Sequence, residues 1–334
     1  MTIKDIAKES GYSVSTVSRV LNNRRDVSSE AKKKIDEIVA AHSFVPNNNA
    51  KHLKQITSKT IMAMVKGHSN MLFFDIVEEI QKTVEKSKYT LEVSYLDEDD
   101  NEVEQALILC RERKPLGLLF LGGNPQLFEE QFHNIKVPSV LVTTDSSRLD
   151  FANLSSVTTD DISAAKCAVD HLIENGHKNI AIIGGDKSSF NTSSQRYRGC
   201  MKSFDMHDMV FQEDKYFAKA RFAYDSAYRA MNHLLETAPD ITAVFAMSDM
   251  MAIGAIRAIL DAHLNVPNDI SVMGFDGIAM ADYSNPKLTT IRQQYKTIAR
   301  RSVEILFHAI DYKTSAIHEI IPFELACGES VRKV

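Results

Sequence analysis

An arginine near the N-terminus, Arg19, has neighbours that suit the reading of DNA bases. Val14, Ser15 and Ser18 lie near the start or on the outer face of the same short helical stretch. Small side chains allow a helix to lie deep in a major groove, and an arginine can donate two hydrogen bonds to one guanine. The spacing therefore predicts a base-reading helix. It is also compatible with a small helical bundle whose charged side chains are only solvated.

The charges of the chain are unevenly distributed, and the N-terminal part is basic. Residues 1–58 contain 10 Lys or Arg and 6 Asp or Glu, so the remainder carries a net charge of −9 in a chain of net charge −5. A basic segment is typical of a protein part that contacts phosphates, although an ordinary charged surface would also fit. The candidates for phosphate contact are Lys4, Thr16, Asn22, Lys32, Lys33 and Lys34.

Three short helices are expected in the first 42 residues, and they would position Arg19. Gly11 ends the first helix, Ser13 caps the second, and the third begins at Ser28 or Ser29. Two short helices joined by a tight turn that contains glycine are typical of a helix-turn-helix. The apolar stripes that would form the core comprise Ile3, Ile6, Ala7, Val17, Val20, Leu21, Ile35, Ile38 and Val39.

Beyond about residue 58 the pattern changes to alternating strands and helices. Buried strands are predicted at 61–65, 116–121, 139–143, 180–183, 243–247 and 270–274, and helices at 76–87, 103–113, 164–175, 223–236 and 250–262. This alternation predicts parallel sheets with helices on both faces, and ligands bind such sheets beyond the carboxyl ends of the strands. The length suffices for two α/β lobes with a cleft between them.

The sequence motifs favour a binding protein over an enzyme, a membrane protein or a metalloprotein. The four cysteines lie far apart without metal-ligand spacing, no apolar run is long enough to span a bilayer, and the N-terminus lacks a hydrophobic signal segment. We therefore expect a cytoplasmic protein. The sequence contains no nucleophile elbow, phosphate loop or dinucleotide fingerprint, so we predict no catalytic residue, no metal ligand and no cofactor.

Two segments of the basic part resemble the lactose/galactose-repressor family (LacI/GalR). They are Ile3-Lys4-Asp5-Ile6-Ala7 with Ser13-Val14-Ser15-Thr16-Val17-Ser18-Arg19-Val20-Leu21-Asn22, and Phe44-Val45-Pro46-Asn47-Asn48-Asn49-Ala50-Lys51-His52-Leu53. The resemblance implies a helix-turn-helix domain at 1–45 and a hinge helix with its linker at 46–58, and Leu53 of the hinge helix would wedge open a base step of operator DNA. The implied DNA-binding residues are Val14, Ser15, Thr16, Ser18, Arg19, Asn22, Asn47, Ala50 and Leu53. Ala31-Lys32, Phe44 and Lys51 depart from the family pattern.

The body resembles the same family and, through it, the periplasmic sugar-binding fold. The matching stretches lie in family order at 160–181, 196–199, 242–255, 266–276 and 288–293. They imply an effector-binding and dimerisation domain at 59–334, with one lobe at 59–158 and 290–318 and the other at 159–289 and 319–334. The helix around Gly254 and Ala255 is a candidate dimer surface, and we predict a homodimer.

The resemblance also implies a small-molecule effector between the lobes. Arg196 should lie at the cleft mouth and donate hydrogen bonds to vicinal hydroxyls or a carboxylate, and Asp276 should accept from hydroxyls. The other implied contacts are Phe73, Asp160, Phe222, Ser248, Asp249 and Gln293. Three of these have alternatives: Asp249 could cap the next helix, and Phe73 and Phe222 could be ordinary core rings. Ser248 stands where the family often has Asn.

Together these features predict a ligand-switched repressor that binds a pseudo-palindromic operator as a dimer. The effector would be a sugar or a sugar derivative, and the residues leave room for a nucleoside or a phosphorylated compound. The alternative is a sugar-binding protein of the transport type without a DNA role. The helix-turn-helix pattern and the missing signal segment disfavour that alternative.

Overall fold

The described residues up to 42 form three short helices, which confirms the prediction from capping residues and apolar stripes. The structure, a computed structural model, describes residues 3–21, 27–42, 59–67, 70–187 and 191–334. Helix α1 spans Ile3–Ser10, α2 spans Val14–Leu21 and α3 spans Ser29–Ala41. Gly11 follows α1 with a φ of +75°, which an L side chain rarely adopts. The Ser13 Oγ accepts a hydrogen bond from the Thr16 N–H at 3.1 Å, as a cap of α2 should.

The core of these helices is small and aliphatic. Ile6, Val17, Val20 and Ile35 are buried, while Ile38 and Val39 are only partly buried beside them. The chain divides into two compact units, Met1–Thr57 and Ser58–Val334, and this core lies in the first. Within the described residues, no helix has the length and apolarity that would let it cross a membrane.

The second unit contains two six-stranded sheets. Sheet one has the order β11-β5-β4-β3-β1-β2 and is parallel throughout. Its strands are β1 Thr60–Lys66, β2 Thr90–Leu96, β3 Gly117–Leu121, β4 Ser139–Val142, β5 Leu154–Thr159 and β11 His318–Ile321. Its helices are α4 Met71–Val84, α5 Glu102–Glu112, α6 Pro125–Gln131 and α13 Tyr295–Tyr312, with a 3₁₀ turn at Phe132–Asn134. The apolar runs predicted at 61–65, 116–121 and 139–143 form its buried centre.

Sheet two has the order β12-β10-β9-β8-β6-β7, and only β12 is antiparallel to its neighbour. Its strands are β6 Ile180–Gly184, β7 Phe217–Lys219, β8 Ala243–Ala246, β9 Ser271–Asp276, β10 Thr289–Gln293 and β12 Phe323–Ala326. Its helices are α7 Asp161–Glu174, α8 Thr192–Met206, α9 Glu213–Tyr216, α10 Tyr224–Thr237, α11 Asp249–Asp261 and α12 Ala279–Tyr283. The two sheets confirm the predicted α/β class with two lobes.

The chain passes between the two sheets at three places, after β5, after β10 and after β11. These crossings correct two of the predicted lobe limits. β10 pairs with β9 as far as Arg292 opposite Asp276, so residues 290–293 belong to sheet two and not to lobe one. β11 pairs with β5 as far as Ile321 opposite Thr159, so residues 319–321 belong to sheet one and not to lobe two. The hydrogen-bonded ladders, which extend past the predicted limits, are the reason for both shifts.

The small residues of helix α11 pack within their own lobe. Ala255 is fully buried, and a Cβ added to Gly254 would come within 2.3 Å of the Tyr224 carbonyl oxygen. The absence of a side chain at Gly254 therefore serves the close packing of α11 on α10 within one lobe. Gly254 and Ala255 therefore do not themselves face a partner, and a dimer contact through the exposed side of α11, where Leu260 is 40% exposed, stays a prediction.

Candidate functional site

The outward face of α2 presents the residues that were predicted to read DNA. Val14 is 46% exposed although it is apolar, and Ser15 and Arg19 are exposed as well. Thr16 and Ser18 are half-buried. Because Val17 and Val20 point into the core, this face is turned away from the bundle, as a reading helix requires.

Four of the predicted DNA contacts lie outside the described residues. They are Asn22, Asn47, Ala50 and Leu53. The whole predicted hinge at 46–58 lies outside them too, and so do Phe44 and Lys51. Within the described part, the three lysines Lys32, Lys33 and Lys34 of α3 are exposed, as phosphate contacts would be.

A cavity of about 570 Å³ lies between the two lobes of the body, beyond the carboxyl ends of the strands. Five of the eight predicted effector contacts line it, and they come from both lobes. They are Phe73, Arg196, Phe222, Asp276 and Gln293. This is the position where ligands bind in open parallel sheets.

Arg196 lies at the bottom of the cavity and not at its mouth, which corrects the predicted position. It is 3% exposed, and its Nε donates to the Asp161 Oδ1 at 2.8 Å. Its other groups donate to the Met247 carbonyl and approach the Asp276 Oδ1 to 3.5 Å, while the guanidinium lies 3.6 Å from the centre of the Phe275 ring. These four neighbours fix the plane of the guanidinium before any ligand arrives.

Asp276 ends β9 in an unusual backbone conformation. Its φ is +115°, a region that disfavours L side chains and that is often found at ligand sites. Its Oδ1 accepts a hydrogen bond from the Gln293 Nε2 at 2.8 Å. Burial raises the pKa of Asp276 to about 6, against the lowering effect of the Arg196 charge. The carboxylate is therefore held in place but changes its charge near neutral pH.

Gln293 connects the two lobes at one of the crossings. Its Oε1 accepts a hydrogen bond from the Thr159 Oγ1 at 2.9 Å, and Thr159 is the last residue of β5 in sheet one. Its Nε2 donates to Asp276 in sheet two. We call Asp161, Arg196, Asp276 and Gln293 the cleft floor.

Asp161 is the site residue that sequence reasoning missed, and its neighbour Asp160 was predicted in its place. Asp160 caps α7, because its carboxylate accepts from the Ser163 N–H at 3.0 Å and from the Ser163 Oγ at 2.7 Å. Both Asp160 and Asp161 line a separate cavity of about 170 Å³, and neither lines the main one. Asp161 turns inward to Arg196, and burial raises its pKa while Arg196 lowers it. The pair of adjacent acids at a strand end was the available signal, but only one of them faces the arginine.

Ser248 and Asp249 do not line the cavity, which corrects both predictions. The Ser248 Oγ caps α11 by accepting from the Met251 N–H at 3.2 Å, so the capping role considered for Asp249 belongs to Ser248. Asp249 is fully buried and accepts from the Thr290 Oγ1 at 2.5 Å and from the Ile278 N–H at 2.8 Å. Burial raises the pKa of Asp249 well above its ordinary value, and nearby Asp276 raises it further. Asp249 therefore links β10, which contains Thr290, to the segment after β9, which contains Ile278.

Two aromatic rings flank the cleft, one from each lobe. Phe73 of α4, in the lobe of sheet one, is 8% exposed, and Phe222 is half-buried in the other lobe. A Cβ added to Gly122 would come within 2.7 Å of the Phe73 ring, and one added to Gly185 within 3.0 Å of the Phe222 ring. The glycines at these strand ends therefore leave room for the rings beside the cavity.

Charged pairs surround the upper part of the cavity. Arg221 pairs with Asp99 and, at 3.5 Å, with Glu98, so it joins the two lobes. We call Arg221, Asp99 and Glu98 the cleft rim. Deeper in lobe one, the Lys66 Nζ donates to the nearly buried Glu102 at 2.7 Å, and Lys219 pairs with Asp186 in the other lobe. Among the described residues, no group of three or more His, Cys, Asp or Glu side chains is arranged to hold a metal ion.

Comparisons with known proteins match both units. Residues 2–47 match the bacterial regulatory proteins of the lacI family, and residues 169–331 match the periplasmic binding protein-like domain. The chain is 37% identical over 336 residues to the HTH-type transcriptional regulator MalR of Clostridium butyricum, which covers 99% of both chains. It is 30% identical to the probable HTH-type transcriptional repressor ExuR of Bacillus subtilis strain 168, over 100% of this chain and 99% of the relative.

Solved structures share the fold over the full length. The complex of the transcriptional regulator CelR with cellobiose matches with a TM-score of 0.73 at 25% identity and covers 99% of each chain. The lac repressor dimer bound to operator and the anti-inducer ONPF matches with a TM-score of 0.72 at 23% identity, again over 99% of each chain.

Proposed function

Because this chain belongs to the LacI family of bacterial regulatory proteins, we propose that it is a cytoplasmic repressor switched by a small sugar bound between its lobes. As a member of that family it is a DNA-binding, ligand-responsive transcriptional regulator and not an enzyme. The observation that carries the sugar proposal is the cleft floor. There a guanidinium, a carboxylate and an amide are held in fixed positions below two aromatic rings.

The composition of the cleft supports a hydroxylated ligand. A sugar ring presents vicinal hydroxyls at its edge and C–H groups on its faces. The cleft floor offers donors and acceptors to the hydroxyls, and Phe73 and Phe222 offer apolar faces. The solved CelR–cellobiose complex is consistent with a carbohydrate effector.

The DNA-reading function is assigned to the exposed face of α2. Val14, Ser15 and Arg19 would approach base edges, with Thr16 and Ser18 beside them. A homodimer presents two such helices related by two-fold symmetry, so its operator should be pseudo-palindromic. The hinge contacts Asn47, Ala50 and Leu53 stay a prediction, and so does the contact of Asn22.

The effector can switch the protein only if it binds one lobe arrangement better than another. Gln293 and Arg221 are placed to sense this arrangement, because each joins groups from both lobes. A sugar that contacts the cleft floor and the rings of both lobes would stabilise the closed arrangement.

The DNA function is tested by gel shift on the DNA upstream of the protein's own gene, at several salt concentrations. A repressor should show a preference for one site and a steep loss of affinity with salt. Arg19→Ala should lower specific affinity about tenfold or more and relax the site preference, as expected for a lost guanine contact. The control Lys8→Ala removes an equal charge from the exposed side of α1 and should leave the preference intact. A protein that binds no duplex while folded and dimeric would contradict the proposal.

The effector function is tested by adding sugars to the same gel shift. The effector should change operator affinity by about fivefold or more, the usual range of coupling between two sites. Phe222→Ala should weaken this response, whereas Phe217→Ala, which removes another half-buried ring of the same lobe that does not line the cavity, should retain it. A response that is identical in both variants would contradict the assignment of the cleft.

A further inference from the structure

The charges around the cleft are already paired within the protein. Among the described residues that line the cavity, the positive ones are Lys66, Arg196, Lys219 and Arg221. Each has a carboxylate partner, and these partners are Glu102, Asp161, Asp276, Asp186, Asp99 and Glu98. Four positive groups thus face six carboxyl groups. Among these described residues, a ligand phosphate or carboxylate would find no cation that lacks a competing acid.

Two of these cations cannot easily leave their partners. The Lys66 Nζ lies 2.7 Å from Glu102, whose side chain is 2% exposed and also accepts from the Asn124 N–H. Arg196 is held between Asp161 and Asp276, and all three are buried. To bind a ligand anion, either cation would have to leave a buried carboxylate without a partner. An unpaired buried charge is strongly unfavourable, so such an exchange is disfavoured.

The remaining polar groups around the cavity are neutral and fixed. Asn70, Asn124 and Asn191 each cap a helix with the side-chain oxygen, which restricts their rotation. Thr192, Ser193 and Gln293 add hydroxyl and amide groups. Amides and hydroxyls suit the hydroxyls of an uncharged sugar, and they do not compensate a full negative charge.

We infer that the effector is an uncharged polyhydroxyl compound, a neutral sugar, and that the buried ion pairs of Lys66 and Arg196 keep these two cations from binding phosphorylated sugars and sugar acids. This inference rests on the proposed function and narrows it. It names Glu102 as a specificity-determining residue, although Glu102 lies behind the cavity wall. The carboxylate of Glu102 neutralises Lys66 and so prevents this lysine from acting as an anion receptor.

The first experiment compares matched ligands on the purified full-length protein by thermal shift and calorimetry. The neutral probes are glucose, galactose, maltose and cellobiose, and the charged probes are glucose 6-phosphate, galactose 6-phosphate, glucuronate and galacturonate. A neutral sugar should raise Tm, and no charged probe should raise it more. A phosphorylated or acidic probe that binds more tightly than its neutral parent overturns the inference. A series in which no neutral sugar binds overturns it as well. DNA binding is measured separately, so that the inference can fail while the regulator function stands.

The second experiment changes the selectivity without changing the cavity lining. Glu102→Gln should lower the ratio of charged-probe Kd to neutral-probe Kd by about tenfold. The glutamine amide does not neutralise Lys66, so the lysine becomes available to a ligand anion. Glu104→Gln makes the same change on the exposed side of the same helix and should leave the ratio within about twofold. A folded Glu102→Gln variant with an unchanged ratio overturns the inference.

A third measurement covers the case in which Glu102→Gln fails to fold. The affinities of the unaltered protein for glucose and for glucose 6-phosphate are compared between 50 and 500 mM salt. Because the cations of the cleft are held by internal carboxylates, lowering the salt should not make glucose 6-phosphate the tighter ligand. A glucose 6-phosphate affinity that exceeds that of glucose at low salt and falls steeply with salt overturns the inference.

Discussion

The cleft floor and the cleft rim both contain an arginine between two carboxylates, but the two arginines lie in different dielectric surroundings. Arg196 in the floor is 3% exposed, whereas the Arg221 side chain in the rim is 59% exposed and that of its partner Asp99 82%. Charge pairs weaken as solvent screens them, so the same chemistry is strong in the floor and weak in the rim. We infer that the floor fixes the ligand and supports the fold, while the rim adjusts closure.

The difference also explains why the floor is built from several elements. Arg196 comes from α8, Asp161 from α7, Asp276 from β9 and Gln293 from β10. Buried charges are tolerated only when each has its partners, and partners from four elements satisfy this condition. The rim needs no such support because water solvates its charges.

The largest effect is expected for Arg196→Met. The change leaves Asp161 and Asp276 buried without their cation, and breaking a buried pair in this way typically costs about 3–5 kcal/mol of unfolding free energy. Affinity for the best sugar should fall at least about a hundredfold, because a charged hydrogen-bond donor is lost and its partners rearrange. Urea denaturation and calorimetry measure the two quantities. The control is Arg198→Met, an exposed arginine of the same helix, which should change neither. Equal results for both variants would mean that the burial of Arg196 between two carboxylates contributes neither stability nor sugar affinity.

The next effect concerns pH and Asp276. Its folded pKa of about 6 lies above the ordinary value of 3.8, so the folded protein retains a proton that the unfolded chain releases between these values. The stability that this proton provides is therefore lost as pH rises from about 4 to 6. Effector affinity should move in the opposite direction if the carboxylate accepts sugar hydroxyls, and it should fall about tenfold per unit below pH 6.

Calorimetry between pH 4.5 and 7.5 checks this dependence. Asp276→Asn should flatten the affinity profile. Asp282→Asn removes a more exposed carboxylate of the same lobe, whose pKa is lowered by Lys287, and should keep the profile of the parent. An affinity that does not change across pH 6 would show that the carboxylate form of Asp276 is not required.

Much of the fold could be predicted because most central strands are continuous apolar runs. Two strands of sheet one lack such an apolar run and were not predicted. β2 is an edge strand whose residues are mostly exposed or half-buried, so it resembles a polar segment. β5 is fully buried but reads Leu-Ser-Ser-Val-Thr-Thr, and no apolar run marks it. Three of its four hydroxyls have partners far away in the chain, for example Ser155 Oγ, which accepts from the Ile317 N–H at 3.0 Å. Such pairing over long sequence distances is not visible in local patterns.

The site was predictable to the level of strand ends but not to the level of single side chains. Asp160 and Asp161 differ by one position, and the helix start decides that the first caps α7 and the second faces Arg196. Asp249 follows a strand end as expected, yet Ile278 and Thr290 draw its carboxylate away from the cleft. These outcomes depend on contacts between residues that are far apart in the chain. Residue type alone does not determine them.

A smaller effect tests whether the floor depends on its helix support. A Cβ at Gly199 of α8 would come within 2.3 Å of the Ile162 carbonyl oxygen in α7, the same closeness as at Gly254 towards Tyr224. Both Gly199→Ala and Gly254→Ala should lower the unfolding free energy by about 1–3 kcal/mol through overpacking. Only Gly199→Ala should also weaken sugar binding several-fold, because α8 carries Arg196 of the cleft floor, whereas α10 and α11 carry no residue of that floor. Equal affinities in the two variants would mean that the position of α8 does not control the floor.

The smallest effect is expected at the rim, for Arg221→Gln. Exposed ion pairs contribute little, so sugar affinity at 150 mM salt should change less than about threefold. The change should vanish near 0.5 M salt, where the surface charges of the unaltered protein are screened as well. Calorimetry at the two salt concentrations measures this. Arg229→Gln, which removes an exposed arginine paired with Asp225 on α10 away from the cavity, serves as the control and should have no effect at either concentration. A loss of sugar affinity above about tenfold in Arg221→Gln that persists in high salt would contradict the weakness assigned to the rim. Only a desolvated ion pair, like that of the floor, resists screening by salt in this way.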